Sequence, residues 1–127
     1  MKIDRNGDTL NVTEIIELAT PSAESFRVAL SSALPGNAKR IDIDFSQTVF
    51  VDCGGLGALV AVRNCARSRS REITIRLLNP PQSLQRMIAV MRMDDAFQME
   101  HRTISSIAVP TTLIDGAVRP TEISLTA

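Results

Sequence analysis

Apolar residues recur along this chain with two periods, and the period changes from segment to segment. In TLNVTEI, Leu10 and Val12, with Glu14 at the end, share one parity, while Thr9, Asn11 and Thr13 share the other. That alternation predicts a half-buried strand. ATPSAESFRVALSSALPG then shifts to helical spacing, with Ala23, Phe26, Leu30 and Ala33 on one face. Thr20 is the expected N-cap, Pro21 the first helical residue, and Pro35-Gly36 the stop. Alternation returns in RIDIDF through Ile41, Ile43 and Phe45, and the β-branched and aromatic TVFVD reads as that strand's continuation.

From Gly54 to about Ser68, Leu56, Leu59, Val60, Val62 and Ala66 predict a second helix. Arg63, Arg67, Arg69 and Arg71 gather towards its end, where cations complement the helix dipole. EITIRLLN predicts another strand, and Asn79 with Pro80-Pro81 a helix start. In the helix that follows, Leu84, Met87, Ile88 and Met91 stand at i, i+3, i+4 and i+7. The spacing assigns all four to a core-facing stripe, with the methionines as core filling. Beyond Met99 the pattern weakens, which leaves room for one more short element and then a mobile tail. Strands alternating with helices, without an internal repeat, predict one α/β domain with helices packed on a partly parallel sheet.

Composition narrows the function classes. The chain has 127 residues, 44% apolar and 22% charged, with a formal net charge of zero. That length suits one domain, and neutrality removes the basic field that nucleic-acid binding draws on. No apolar run reaches the roughly 18–20 residues needed to cross a bilayer, and MKIDRNGDTL lacks the apolar centre of a secretory signal. The expectation is a cytoplasmic protein that neither inserts in membranes nor binds nucleic acid. Cys53 and Cys65 would lie about 18 Å apart along a helix, too far for a disulfide.

Searches for catalytic groupings return little. The one histidine, His101, lies in the weakly patterned end, and CGGLG lacks both the lysine of a phosphate loop and the spacing of a dinucleotide fingerprint. Two cysteines and one histidine at these spacings do not make a zinc site. No cofactor, metal or catalytic residue is expected. What stands out is VDCGGLG, residues 51–57, where a strand gives way to a helix and residue 53 falls at the helix start on the strand's carboxyl edge. In α/β sheets ligands and partners meet the fold at that edge. The same glycines also suit close helix-to-sheet packing, with Cys53 as a small apolar filler.

IDIDFSQTVFVDCGGLGALVAVRNCARSR and ITIRLLNPPQSLQRMIAVMRMDDAF together resemble the STAS family, the domain shared by sulfate transporters and anti-sigma factor antagonists. The resemblance covers roughly residues 9–99. It rests on Asp44-Phe45-Ser46, Asp52-x-x-Gly55-Leu56-Gly57, Asn79-Pro80 and Met93-Asp94-Asp95-x-Phe97. It implies a mixed sheet with helices mainly on one side, a STAS-like domain over residues 1–109, a mobile tail over 110–127, and no enzymatic activity.

It further implies a partner, an anti-sigma factor of kinase or ATPase fold, whose capture frees a sigma factor. Docking would use Asp44, Ser46, Asp52, Cys53, Gly54, Gly55, Leu56 and Gly57, with Arg63, Asn64 and Arg67 on the exposed side of the following helix. In the family a serine or threonine directly after the aspartate is phosphorylated to end binding, because a phosphate brings about −1.5 to −2 charges into the interface. Here that position is Cys53, and the next, often hydroxylated, is Gly54. The usual switch is therefore absent. The remaining alternatives are a constitutive binder, a redox-switched binder using Cys53, and a diverged STAS module serving a transporter, a lipid-export complex or a sensory assembly. A homodimer is compatible with all of them.

Overall fold

Residues 1–102 are described by the computed structural model. The elements run β1 (Lys2–Asn6), β2 (Thr9–Thr13), β3 (Glu17–Leu18), α1 (Thr20–Ala33), β4 (Arg40–Asp44), β5 (Phe50–Val51), α2 (Cys53–Arg69), β6 (Thr74–Leu78), α3 (Gln82–Val90) and β7 (Gln98–Glu100). Five strands form a mixed sheet in the order β1-β2-β4-β6-β7, and β3 pairs with β5 in a separate two-stranded sheet. Among the described residues only β1 runs antiparallel to its neighbour, and every other pairing is parallel.

Register explains why the apolar parity was legible. Leu10 pairs with Ile41 and Ile41 with Ile75, while Val12 pairs with Ile43 and Ile43 with Leu77. These six side chains form two rows on one face and are fully buried. They share a core with Phe26 and Leu30 of α1, Leu56, Leu59 and Val62 of α2, and Leu84 and Ile88 of α3. The opposite parity is polar, with Asn11, Asp42, Arg76 and Gln98 in one row. On that face Arg76 grips Asp42 with two bonds of 2.9 Å and reaches Glu100 at 3.0 Å. The bidentate pair lets Asp42 lie nearly buried without a stranded charge. Arg40 Nε lies 3.2 Å from the same carboxylate but lacks the alignment of a hydrogen bond.

Several expectations need correction. The strand β1 has no counterpart in the sequence reading, because its residues are nearly all exposed and show no alternation. Gly7, at φ +64°, opens the two-residue loop that turns β1 into β2. Glu14 does not extend β2; at φ 57° it leaves the strand conformation. TVFVD is not a continuation of β4 either. A turn at Asp44–Thr48 intervenes, and Phe50-Val51 pairs with Glu17-Leu18 in the small second sheet. Met91 lies outside the core because α3 ends at Val90, so the i+7 position of the stripe falls beyond the helix. The expected domain boundary at residue 109 and the tail over 110–127 lie outside the described residues.

Candidate partner-docking site

The parallel strands bring Asp44, Asn79 and the start of α2 to one edge of the fold, and Asp52 organises the α2 end of it. Its backbone leaves β5 in an extended conformation, and its side chain caps α2 by accepting the Gly55 N–H at 3.0 Å through Oδ1. The other oxygen, Oδ2, accepts the Thr20 N–H at 3.1 Å and the Thr20 hydroxyl at 3.2 Å. One carboxylate thus serves the first turns of both α1 and α2. These donors, Gly55 N–H foremost and Thr20 N–H next, hold the Asp52 carboxyl below the usual carboxylate range.

This arrangement also corrects the cap of α1. The N-cap is Ala19, with Thr20 and Pro21 as the first helical residues. Thr20 is not needed as a cap because Asp52 accepts its amide from outside the helix. Ser22 Oγ completes the turn by accepting the Ala19 N–H at 3.1 Å.

The glycines are fixed by close approach. A Cβ on Gly54 would fall 2.8 Å from Thr20 Cα, and one on Gly55 would fall 2.8 Å from the Leu18 carbonyl carbon. Both neighbours are backbone atoms, so neither position accepts a side chain without moving α2 away from α1 or β3. Gly57 is different: a Cβ there meets nothing within 4 Å. Its place is on the surface.

Cys53 is the first residue of α2 and is exposed, with Sγ 3.9 Å from Met87 Sδ. The thiol sits at the mouth of an apolar groove of about 520 Å³ between α2 and the end of α3, lined by Cys53, Gly57, Val60, Met87, Val90 and Met91 among others. Val90 and Met91 are 79% and 61% exposed. Beside the small β3–β5 sheet, Ile16, Val49 and Phe50 are also exposed, and the Val49 N–H donates to Ile16 O at 2.8 Å. Cys53 and Gly57 were legible as docking residues from the sequence, whereas Val60, Met87 and Met91 were read only as apolar helix positions, the two methionines as core, and the exposure of Ile16, Val49, Phe50 and Val90 was not anticipated. The signal available was the shortness of α3, with Asn79-Pro80-Pro81 before it and Met91-Arg92-Met93-Asp94-Asp95 after it.

Of the other anticipated docking residues, Asp44 and Ser46 lie at the end of β4. Asp44 accepts the Ser46 N–H at 2.9 Å and the Ser46 hydroxyl at 3.2 Å, and Asn79 Nδ2 stands 3.4 Å away. The pair closes the turn after β4 and lies on the same strand-end edge as Asp52. Gly55 is buried, and Leu56 shows only its edge to the groove. Arg63, Asn64 and Arg67 are farther away: Arg63 and Arg67 lie about 15 and 21 Å from Cys53 along the helix axis. Arg63 Nε donates to Ala96 O at 3.2 Å, tying α2 to the segment before β7. Asn64 and Arg67 are exposed.

A five-stranded mixed sheet with three helices on its apolar face, an aspartate-capped helix start and the Asp52-x-x-Gly55-Leu56-Gly57 turn define a STAS domain. The chain belongs to the family described as Mlab, STAS domain, whose model matches residues 1–105. Solved structures agree on the fold. A Thermotoga maritima protein provisionally described as an anti-sigma factor antagonist aligns with a TM-score of 0.65 at 18% identity, covering 83% of this chain and 88% of its own. The anti-sigma factor antagonist SpoIIAA in its unphosphorylated form aligns at 0.59 and 18% identity, over 83% of this chain and 91% of its own. The phosphorylated form of SpoIIAA, a Bacillus cell fate determinant, gives 0.60 and 17%, over 83% and 93%. No curated protein matches the chain. Among the described residues no helix is long and apolar enough to cross a membrane.

Proposed function

We propose that this STAS domain is a protein-docking module of the anti-sigma factor antagonist type, which binds a kinase-fold anti-sigma factor through the start of α2 and carries out no chemistry of its own. One observation carries the proposal. The residue at the family's switch position, Cys53, is exposed on the helix start beside an unfilled apolar groove, while Gly54 has no room for a side chain. An exposed helix start beside an apolar groove, with no hydroxyl at residue 53 or 54, supports docking without the usual switch. In this reading a thiol replaces serine at similar volume and leaves the interface uncharged, so binding is constitutive with respect to a serine kinase. A pull-down with each candidate anti-sigma factor of the source cell tests the reading: one should be retained by wild type, and recovery of none would sink it.

The family description favours a second reading, since Mlab is a designation distinct from the anti-sigma label. There the same surface seats the domain on a transporter, a lipid-export complex or a sensory assembly. A partner of that kind recovered in place of an anti-sigma factor would decide for it. Redox control of Cys53 is separable from both readings: if oxidised protein with modified Cys53 binds as well as reduced protein, the thiol is not a switch.

A further inference from the structure

We infer that the groove between α2 and α3 receives an amphipathic helix of the partner, with its apolar face on the groove floor and a carboxylate paired to Arg86. The inference takes from the proposed function only that the start of α2 is an interface; it adds the form and charge of what docks there. Cys53, Gly57 and Val60 mark one wall at spacings of four and three residues, so the wall extends about 10 Å along α2, or two turns of an opposing helix. Gly57 leaves that wall open at its middle, since nothing lies where its side chain would be. A knob from an incoming helix fits such a gap.

The chemistry of the walls selects a helix. One wall is α2 and the other is α3 with the turn after it, where the Met91, Arg92 and Met93 N–H groups donate to Met87, Ala89 and Ile88 carbonyls, so the groove presents no ladder of free N–H and C=O groups among the described residues. A strand or loop laid there would leave its own backbone groups unpaired against apolar side chains, whereas a helix satisfies them internally. Met87, Met91 and Met93 supply a flexible, polarisable lining that conforms to such a face. Among the described residues Arg86 is the one charged residue of the lining and has no ion-pair partner. An acidic residue within a turn of the apolar face would complete it.

The test places p-benzoylphenylalanine in the position of Met91 in the full chain, irradiates the source cells, and maps the adducts by mass spectrometry. Adducts should fall on one face of a helix in another protein, with Asp or Glu within one turn. Arg86→Glu should lower their yield at least fivefold, and Arg86→Lys should preserve it. Adducts confined to loops or extended segments, to a second copy of this chain, to its own residues 103–127 or to lipid would overturn the inference. So would a lack of adducts, or a yield indifferent to Arg86→Glu. The two proposals fail separately: an adducted helix in a protein other than an anti-sigma factor leaves the groove assignment standing and removes the proposed partner class.

Discussion

Asp52 uses its two carboxylate oxygens on two different helix starts, and that double duty gives the residue a pH signature. Its folded pKa lies below the ordinary value of about 3.9, so its contribution to stability is complete above that value and is lost as pH falls through the lower, folded one. Chemical denaturation of wild type and Asp52→Asn should therefore show a difference that is constant near neutrality and shrinks below about pH 4. A difference that persists unchanged at pH 2.5 would mean that the charge of Asp52 is not what holds the joint. The glycines beside it separate cleanly. Gly55→Ala forces a methyl against the Leu18 backbone and should cost about 1–3 kcal/mol. Gly57→Ala meets open space and should stabilise α2 by about 0.5–1 kcal/mol, read from urea midpoints. The motif was legible in VDCGGLG, and so was the missing hydroxyl. That Gly54 yields its space to Thr20 was not, because those residues are 34 positions apart in sequence and meet only through packing.

At the level of elements, α1 and α2 lie side by side in the same direction. Asp52 joins their amino ends, and at the other end Arg69 donates to Leu34 O at 3.0 Å. Helical periodicity revealed both helices and their buried faces because each is long enough to repeat its stripe. The short α3 shows where that signal fails. Its pattern at Leu84, Met87, Ile88 and Met91 has the spacing of a four-residue stripe, yet the helix stops at Val90 and turns Met91 outward. Periodicity alone does not mark that stop, since Met91 keeps the i+7 spacing; the charged Arg92, Asp94 and Asp95 that follow are the local sign of it. Leu84→Ala should accordingly cost about 2–5 kcal/mol, whereas Met91→Gln should cost less than about 0.5 kcal/mol in the same denaturation assay. A loss at Met91 approaching that at Leu84 would return it to the core.

Across the whole molecule, the mixed sheet divides its two faces by chemistry. One face is the shared core with all three helices; the other is the polar surface on which Asp42, Arg76 and Glu100 interlock. Alternation in β2, β4 and β6 made the apolar face readable. The edge strand β1 was not, because it lies on the sheet's rim with both faces largely in water and so has no pattern to show. Parallel pairing brings the strand ends, the Asp44 turn, Asp52 and Cys53 to one edge, and the apolar groove that opens beside Cys53, with Val90 and Met91 exposed, has the chemistry of a protein-docking surface. If that surface works without a phosphate switch, its affinity must depend on residue 53 staying uncharged. Titration calorimetry with the anti-sigma factor recovered by pull-down, after incubation with Mg-ATP, measures this directly. Wild type and Cys53→Ser handled without ATP should bind within threefold of each other, wild type should be unaffected by Mg-ATP, and Cys53→Asp should bind at least tenfold more weakly, a loss of about 1.4 kcal/mol. Equal affinity for wild type and Cys53→Asp, or loss of wild-type binding on treatment with Mg-ATP, would contradict it.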